Sequence, residues 1–128
     1  MTSEEGPAAT ALGEAQALGK VLVVEDVGLI RMTTADMAEQ IGFETAQAGD
    51  AREALALLRQ DAAISILLTD LGLPGMSGRE LVAEALKLKP DLKVIIASGY
   101  SNPGDLPDGV RRLVKPFDMQ QLRKALES

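Results

Sequence analysis

From Lys20 onward, short apolar runs alternate with longer stretches whose apolar positions recur at helical spacing. Val21 to Val24 reads as a short strand. Gly28 to Gln40 carries Ile30, Met37 and Ile41 near a 3.6-residue period, with Gly42 placed to cap the end. Phe43 to Ala48 reads as a second strand. Asp50 is placed to cap a helix running through Leu55 and Leu58 to Gln60, with Glu53 at capping-box spacing. Ile64 to Thr69 is a third apolar run. Ser77 precedes a helix with an apolar face of Leu81, Val82, Ala85 and Leu86, and Pro90 follows its end. Leu92 to Ala97 predicts a fourth strand and Arg112 to Val114 a short fifth. Asp118 opens a last helix bearing Leu122 and Leu126. Strands alternating with helices imply βαβ units and a parallel sheet covered on both faces.

Two segments break the alternation. Residues 1–19 are rich in Ala, Gly, Glu and Thr, with no long apolar face, and read as a flexible tail preceding one domain over residues 20–128. Ser101 to Gly109 holds two Pro and two Gly in nine residues, which disfavours a full helix. The helix expected between the fourth and fifth strands is therefore predicted to be shortened or replaced by a loop.

Composition narrows the chemistry. The 128 residues suit one domain, and 46% hydrophobic with 25% charged residues is a globular balance. The net charge of −6 argues against nonspecific nucleic-acid binding, which needs a basic surface. With no Cys and no His, the chain can build neither a disulfide, a thiolate site nor a histidine base, ligand or phosphohistidine. No stretch approaches membrane-spanning length, and no basic region followed by an apolar core marks a signal peptide, so a cytoplasmic protein is expected. Phe43, Tyr100 and Phe117 are its only rings, few for stacking a flavin or a base.

Four of the five predicted strands also end in a reactive type of residue. The first run is followed by Glu25 and Asp26, the third by Asp70, the fourth by Ser98 and the fifth by Lys115-Pro116. In an open parallel sheet, ligands bind at the carboxyl ends of the strands. Carboxylates there can hold a hard divalent cation through oxygen, and a hydroxyl and an ammonium beside them can hold a phosphoryl group. Taken singly, an Asp at a strand end is more often a helix cap and a Lys-Pro a turn. Taken together, the four ends read as one metal-dependent phosphoryl-transfer site. Arg31 reads as a residue on a solvated helix face.

Val21-Leu22-Val23-Val24-Glu25-Asp26, Thr69-Asp70-Leu71-Gly72-Leu73-Pro74-Gly75-Met76-Ser77-Gly78, Ala97-Ser98-Gly99-Tyr100 and Val114-Lys115-Pro116-Phe117, in this order, resemble the receiver domain of two-component response regulators. The likeness covers Lys20 to Glu127. It implies a flavodoxin-like, doubly wound, five-stranded parallel sheet of order 2-1-3-4-5. It implies Mg2+ held by Asp26 directly, by Glu25 through a bound water, by Asp70 and by the main-chain carbonyl of Gly72. Asp70 would be the nucleophile that takes a phosphoryl group from a phosphohistidine on a sensor histidine kinase or histidine phosphotransfer protein. Ser98 and Lys115 would contact the phosphoryl oxygens, and the Lys115-Pro116 bond would be cis. The same reading makes the protein no enzyme in the usual sense, although it catalyses its own phosphotransfer and autodephosphorylation.

The chain also departs from the family. Many receivers carry Tyr or Phe three residues before the Lys, where this chain has Arg112. Tyr100 is then the nearest ring available for a switch with Ser98. The expected form is a monomeric, stand-alone receiver with no output domain after Glu127; a receiver module of a hybrid kinase is the runner-up. An Asp-based phosphatase would want a second Asp two residues past the nucleophile, where Gly72 stands. A flavodoxin-like binding module, or an interaction module with a dead site, completes the alternatives.

Overall fold

The computed structural model describes residues 18–99 and 109–127. Five strands and four helices follow in order: β1 Lys20–Val24, α1 Gly28–Ile41, β2 Glu44–Ala48, α2 Ala51–Gln60, β3 Ile64–Asp70, α3 Gly78–Leu88, β4 Lys93–Ser98, β5 Arg111–Val114 and α4 Met119–Glu127. All strand pairs are parallel, in the order β2-β1-β3-β4-β5. The predicted tail, the segment Ser101 to Asp108 and Tyr100 lie outside the described residues.

The apolar runs alternate sides, and each side finds its own helices. Leu22, Val24, Leu67, Val94 and Ile96 pack with Ala54, Leu58, Leu81, Val82 and Ala85 from α2 and α3. Val21, Val23, Ile66, Leu68, Ile95 and Leu113 pack with Ala35, Ala38, Leu122 and Leu126 from α1 and α4. β1 lies inside the sheet between β2 and β3 and is buried on both faces, which is why its sequence shows no polar alternation.

The helix starts follow the caps with one shift. Ser77 and Glu80 form the reciprocal capping box at α3, with Glu80 N–H donating to Ser77 Oγ (3.2 Å) and Ser77 N–H to Glu80 Oε1 (3.0 Å). Asp118 and Gln121 do the same at α4, both at 2.8 Å. At α2, Asp50 accepts the Glu53 N–H at 2.8 Å, but Glu53 Oε1 accepts from Gly49 rather than from Asp50. The spacing is that of a box, yet the carboxylate reaches one residue further back.

α1 corrects the predicted apolar stripe. Its buried residues are Thr34, Ala35 and Ala38, while Ile30 is 43% exposed and Leu29 76%. Small side chains let this helix lie close to the sheet, so the Ile30, Met37 and Ile41 row borders the buried face rather than forming it. Gly42 ends the helix at φ 126°, as its position suggested.

Candidate functional site

Strand register brings the reactive residues into one row. Val24 of β1 sits opposite Thr69 of β3, so Glu25 and Asp70 follow side by side. Asp70 pairs with Ala97, which puts Ser98 one step further along β4. Ser98 pairs with Val114, and Lys115 comes next. The backbone continues this alignment past the strands: Glu25 N–H donates to Ala48 O (3.1 Å), Leu71 N–H to Ala97 O (3.2 Å) and Lys115 N–H to Ser98 O (2.7 Å).

Ligand atoms of Glu25, Asp26 and Asp70 all lie within 4.8 Å of one another. Three carboxylates this close repel unless a cation separates them. Lys115 supplies part of the compensation: its Nζ lies 3.1 Å from Glu25 Oε1 and 3.4 Å from Asp70 Oδ1. Burial pulls the Lys115 ammonium toward neutrality, but hydrogen bonding to Glu25 and the charges of Asp70 and Glu25 outweigh it, and its pKa is raised. Glu25 is buried, with Oε2 accepting the Val27 N–H at 3.2 Å, whereas Asp26 is exposed and Asp70 half-buried. The all-oxygen donor set suits a hard cation such as Mg2+, and the exposed Asp26 leaves room for the waters that such an ion keeps. Ser98 is buried at the end of β4. The Lys115–Pro116 peptide is cis.

Gly72, expected to offer a carbonyl, lies exposed in the loop two residues after Asp70. Tyr100, expected to act in a switch, lies outside the described residues. Arg112 is exposed on β5.

Two residues gain a role that the sequence did not suggest. Gly78 opens α3 directly against the end of β3: a Cβ there would stand 2.3 Å from Asp70 O and 2.8 Å from Leu71 Cα. The Gly78 N–H donates to Leu71 O at 2.9 Å, so helix and loop are joined at that point. Arg31, read as a solvated side chain, is half-buried and donates from Nη1 to the main-chain oxygen of Glu25 at 2.8 Å. Its signal was available, because side chains in a first helical turn lean back toward the preceding loop.

Comparisons with known proteins bear on the family and the fold. The family profile described as response regulator receiver domain matches residues 21–127. The response regulator receiver protein CpdR of Brucella abortus is 31% identical over 113 residues, covering 84% of this chain and 93% of that protein. The sensor kinase CckA of the same organism is 33% identical over 110 residues, covering 80% of this chain but 11% of the kinase. Among solved structures, the chemotaxis protein CheY4 of Vibrio cholerae superposes with a TM-score of 0.79 at 28% identity, covering 87% of this chain and 98% of that one.

Proposed function

The chain belongs to the response regulator receiver domain family of two-component systems, and from that premise we propose that it accepts a phosphoryl group on Asp70 in a Mg2+-dependent reaction. The observation that carries this reading is the meeting of three carboxylates within 4.8 Å with one ammonium bridging two of them. The donor is a phosphohistidine on a sensor histidine kinase or histidine phosphotransfer protein, since this chain has no His of its own.

An oxygen of the Asp70 carboxylate attacks phosphorus, the phosphorus–nitrogen bond to the donor imidazole breaks, and the imidazole leaves with the bonding pair and takes up a proton. The product is an acyl phosphate. Bound Mg2+ supplies charge neutralisation for the phosphoryl oxygens. Asp26 and Asp70 would hold it directly through carboxylate oxygens, Glu25 would hold it through water, and the Gly72 carbonyl would add a further oxygen. Lys115 moves from pairing with Asp70 to pairing with the phosphoryl group. Ser98 donates its hydroxyl to a phosphoryl oxygen.

Val27, Leu29, Ile30 and Met32 expose apolar surface on and beside the first turns of α1, next to Glu25 and Asp26. Such a surface suits approach by a protein donor rather than by a small molecule alone. The receiver unit spans residues 20–128, and its partner kinase places the exchange in the cytoplasm. No helix among the described residues is long and apolar enough to cross a membrane.

Intact-mass measurement after incubation with phosphoramidate and Mg2+ tests the assignment. One added phosphoryl group is expected on the parent protein and none on Asp70→Asn. Equal labelling of both would remove Asp70 as acceptor.

A further inference from the structure

We infer that Arg31 is a positioning residue for the cation site, acting through the Glu25 carbonyl; this rests on the Mg2+-dependent receiver chemistry proposed above. The Glu25 peptide unit is held on every side. Its N–H donates to Ala48 O at 3.1 Å. Its side chain takes the Val27 N–H at 3.2 Å and Lys115 Nζ at 3.1 Å. Its carbonyl takes Arg31 Nη1 at 2.8 Å. That carbonyl belongs to the peptide joining Glu25 to Asp26, so its direction fixes where the Asp26 backbone, and hence its carboxylate, begins.

Arg31 is anchored at both ends of its reach. Its own N–H donates to Val27 O at 2.9 Å, which sets it in the first turn of α1. Its Nε donates to Gln47 Oε1 of β2 at 3.3 Å. The guanidinium passes 3.4 Å from where a Cβ on Gly49 would stand, and 3.6 Å from one on Gly28. It therefore lies between the loop after β1 and the loop after β2, and ties the acidic loop to both the helix and the sheet edge. The planar fork, with donors pointing in fixed directions, is what allows one side chain to make both contacts.

The sign of its effect separates positioning from simple charge. A cation hydrogen-bonded to the peptide that leads into Asp26 repels a divalent ion, so if charge were the whole role, neutralising Arg31 would tighten Mg2+ binding. If its hydrogen bond aims the Asp26 peptide, neutralising it weakens binding. The measurement is calorimetric titration of the full chain with MgCl2, beside phosphoramidate labelling rates at varied Mg2+ and urea unfolding in EDTA. Arg31→Met is expected to weaken Mg2+ affinity by about 5- to 10-fold, the scale of the net worth of one hydrogen bond. Its labelling rate at saturating Mg2+ should return to within about twofold of the parent, and Arg31→Lys should recover part of the affinity. Affinity in Arg31→Met equal to or tighter than the parent overturns the inference, whether or not the urea midpoint moves. Should Arg31→Met fail to unfold cooperatively, Arg31→Gln carries the same expectation and the same overturning result. A parent that neither binds Mg2+ nor accepts phosphoryl would instead overturn the receiver chemistry itself.

Discussion

Lys115 is held by two carboxylates at once, and the arrangement has a cost and a use. Glu25 is 5% exposed, and without the ammonium it would keep, among the described residues, only the Val27 N–H while facing Asp26 and Asp70. Lys115→Met should therefore destabilise the protein in EDTA by about 2 kcal/mol, between the ranges for exposed and buried pairs. Urea unfolding of parent and variant measures it. The pH dependence has a definite sign. The folded-state pKa of Lys115 is raised above the ordinary 10.5, so the pair's contribution is fully present below that value and is lost as pH rises through the folded pKa. The stability gap between parent and Lys115→Met should stay flat from neutral pH to about 10 and close only in stronger alkali. A gap that shrinks between pH 7 and 9 would contradict the assigned pairing. The use is kinetic readiness: the ammonium already sits beside the carboxylate that would receive the phosphoryl group.

At the scale of the elements, α1 and α3 carry opposite burdens. α3 must begin against the backbone of Asp70, and Gly78 leaves no room for a side chain there. Gly78→Ala would force helix and loop apart, with an expected loss of about 3 kcal/mol in urea unfolding and slower labelling of Asp70 in whatever remains folded. α1 leaves Leu29 and Ile30 in solvent beside the site. Replacing both with Ser should change stability by no more than about 0.5 kcal/mol. Transfer from a protein phosphohistidine should slow by about tenfold, the cost of losing an anchor, while labelling by phosphoramidate stays at the parent rate. Equal slowing with both donors would place the effect in the chemistry rather than in docking. These two elements also mark where the sequence was legible. The five strands, the caps Ser77 and Asp118 and the row of reactive residues follow from local pattern, because burial of a parallel strand and its terminus are both local signals. The exposed Ile30, the Glu53 carboxylate reaching Gly49, the close approach at Gly78 and the contact of Arg31 with Glu25 depend on how elements meet. No periodicity along the chain encodes that. Beyond the place of Arg31 in a first helical turn, Gly78 had the one usable hint, a glycine opening a strongly capped helix where a better helix former would serve.

For the molecule as a whole, the candidate site concentrates an imbalance that the composition already shows. Nineteen acidic residues face thirteen basic ones, and three of the carboxylates converge where the strands end. Lys115 bridges Glu25 and Asp70, while Asp26 lies exposed at the edge of the cluster. Strand register forces this crowding, because the packing that buries Val24, Thr69 and Ala97 also sets the residues after them side by side. The fold thus carries a repulsion that a divalent ion relieves, and ion binding and folding are linked. At a free Mg2+ concentration about 100-fold above its dissociation constant, the linkage is worth about 2.7 kcal/mol, or a rise in Tm of about 10 °C for a domain of this size. Scanning calorimetry in MgCl2 against NaCl of equal ionic strength measures it. The rise should appear with Mg2+ alone, since screening by a monovalent salt acts on the whole surface and weakly on a partly buried trio. Asp26→Ala should remove most of the rise while itself raising Tm in EDTA, because it deletes one of the three repelling charges. An Asp26→Ala protein that gains as much from Mg2+ as the parent would show that the ion binds elsewhere on the acidic surface, and the alignment of strand ends would then have no part in holding it.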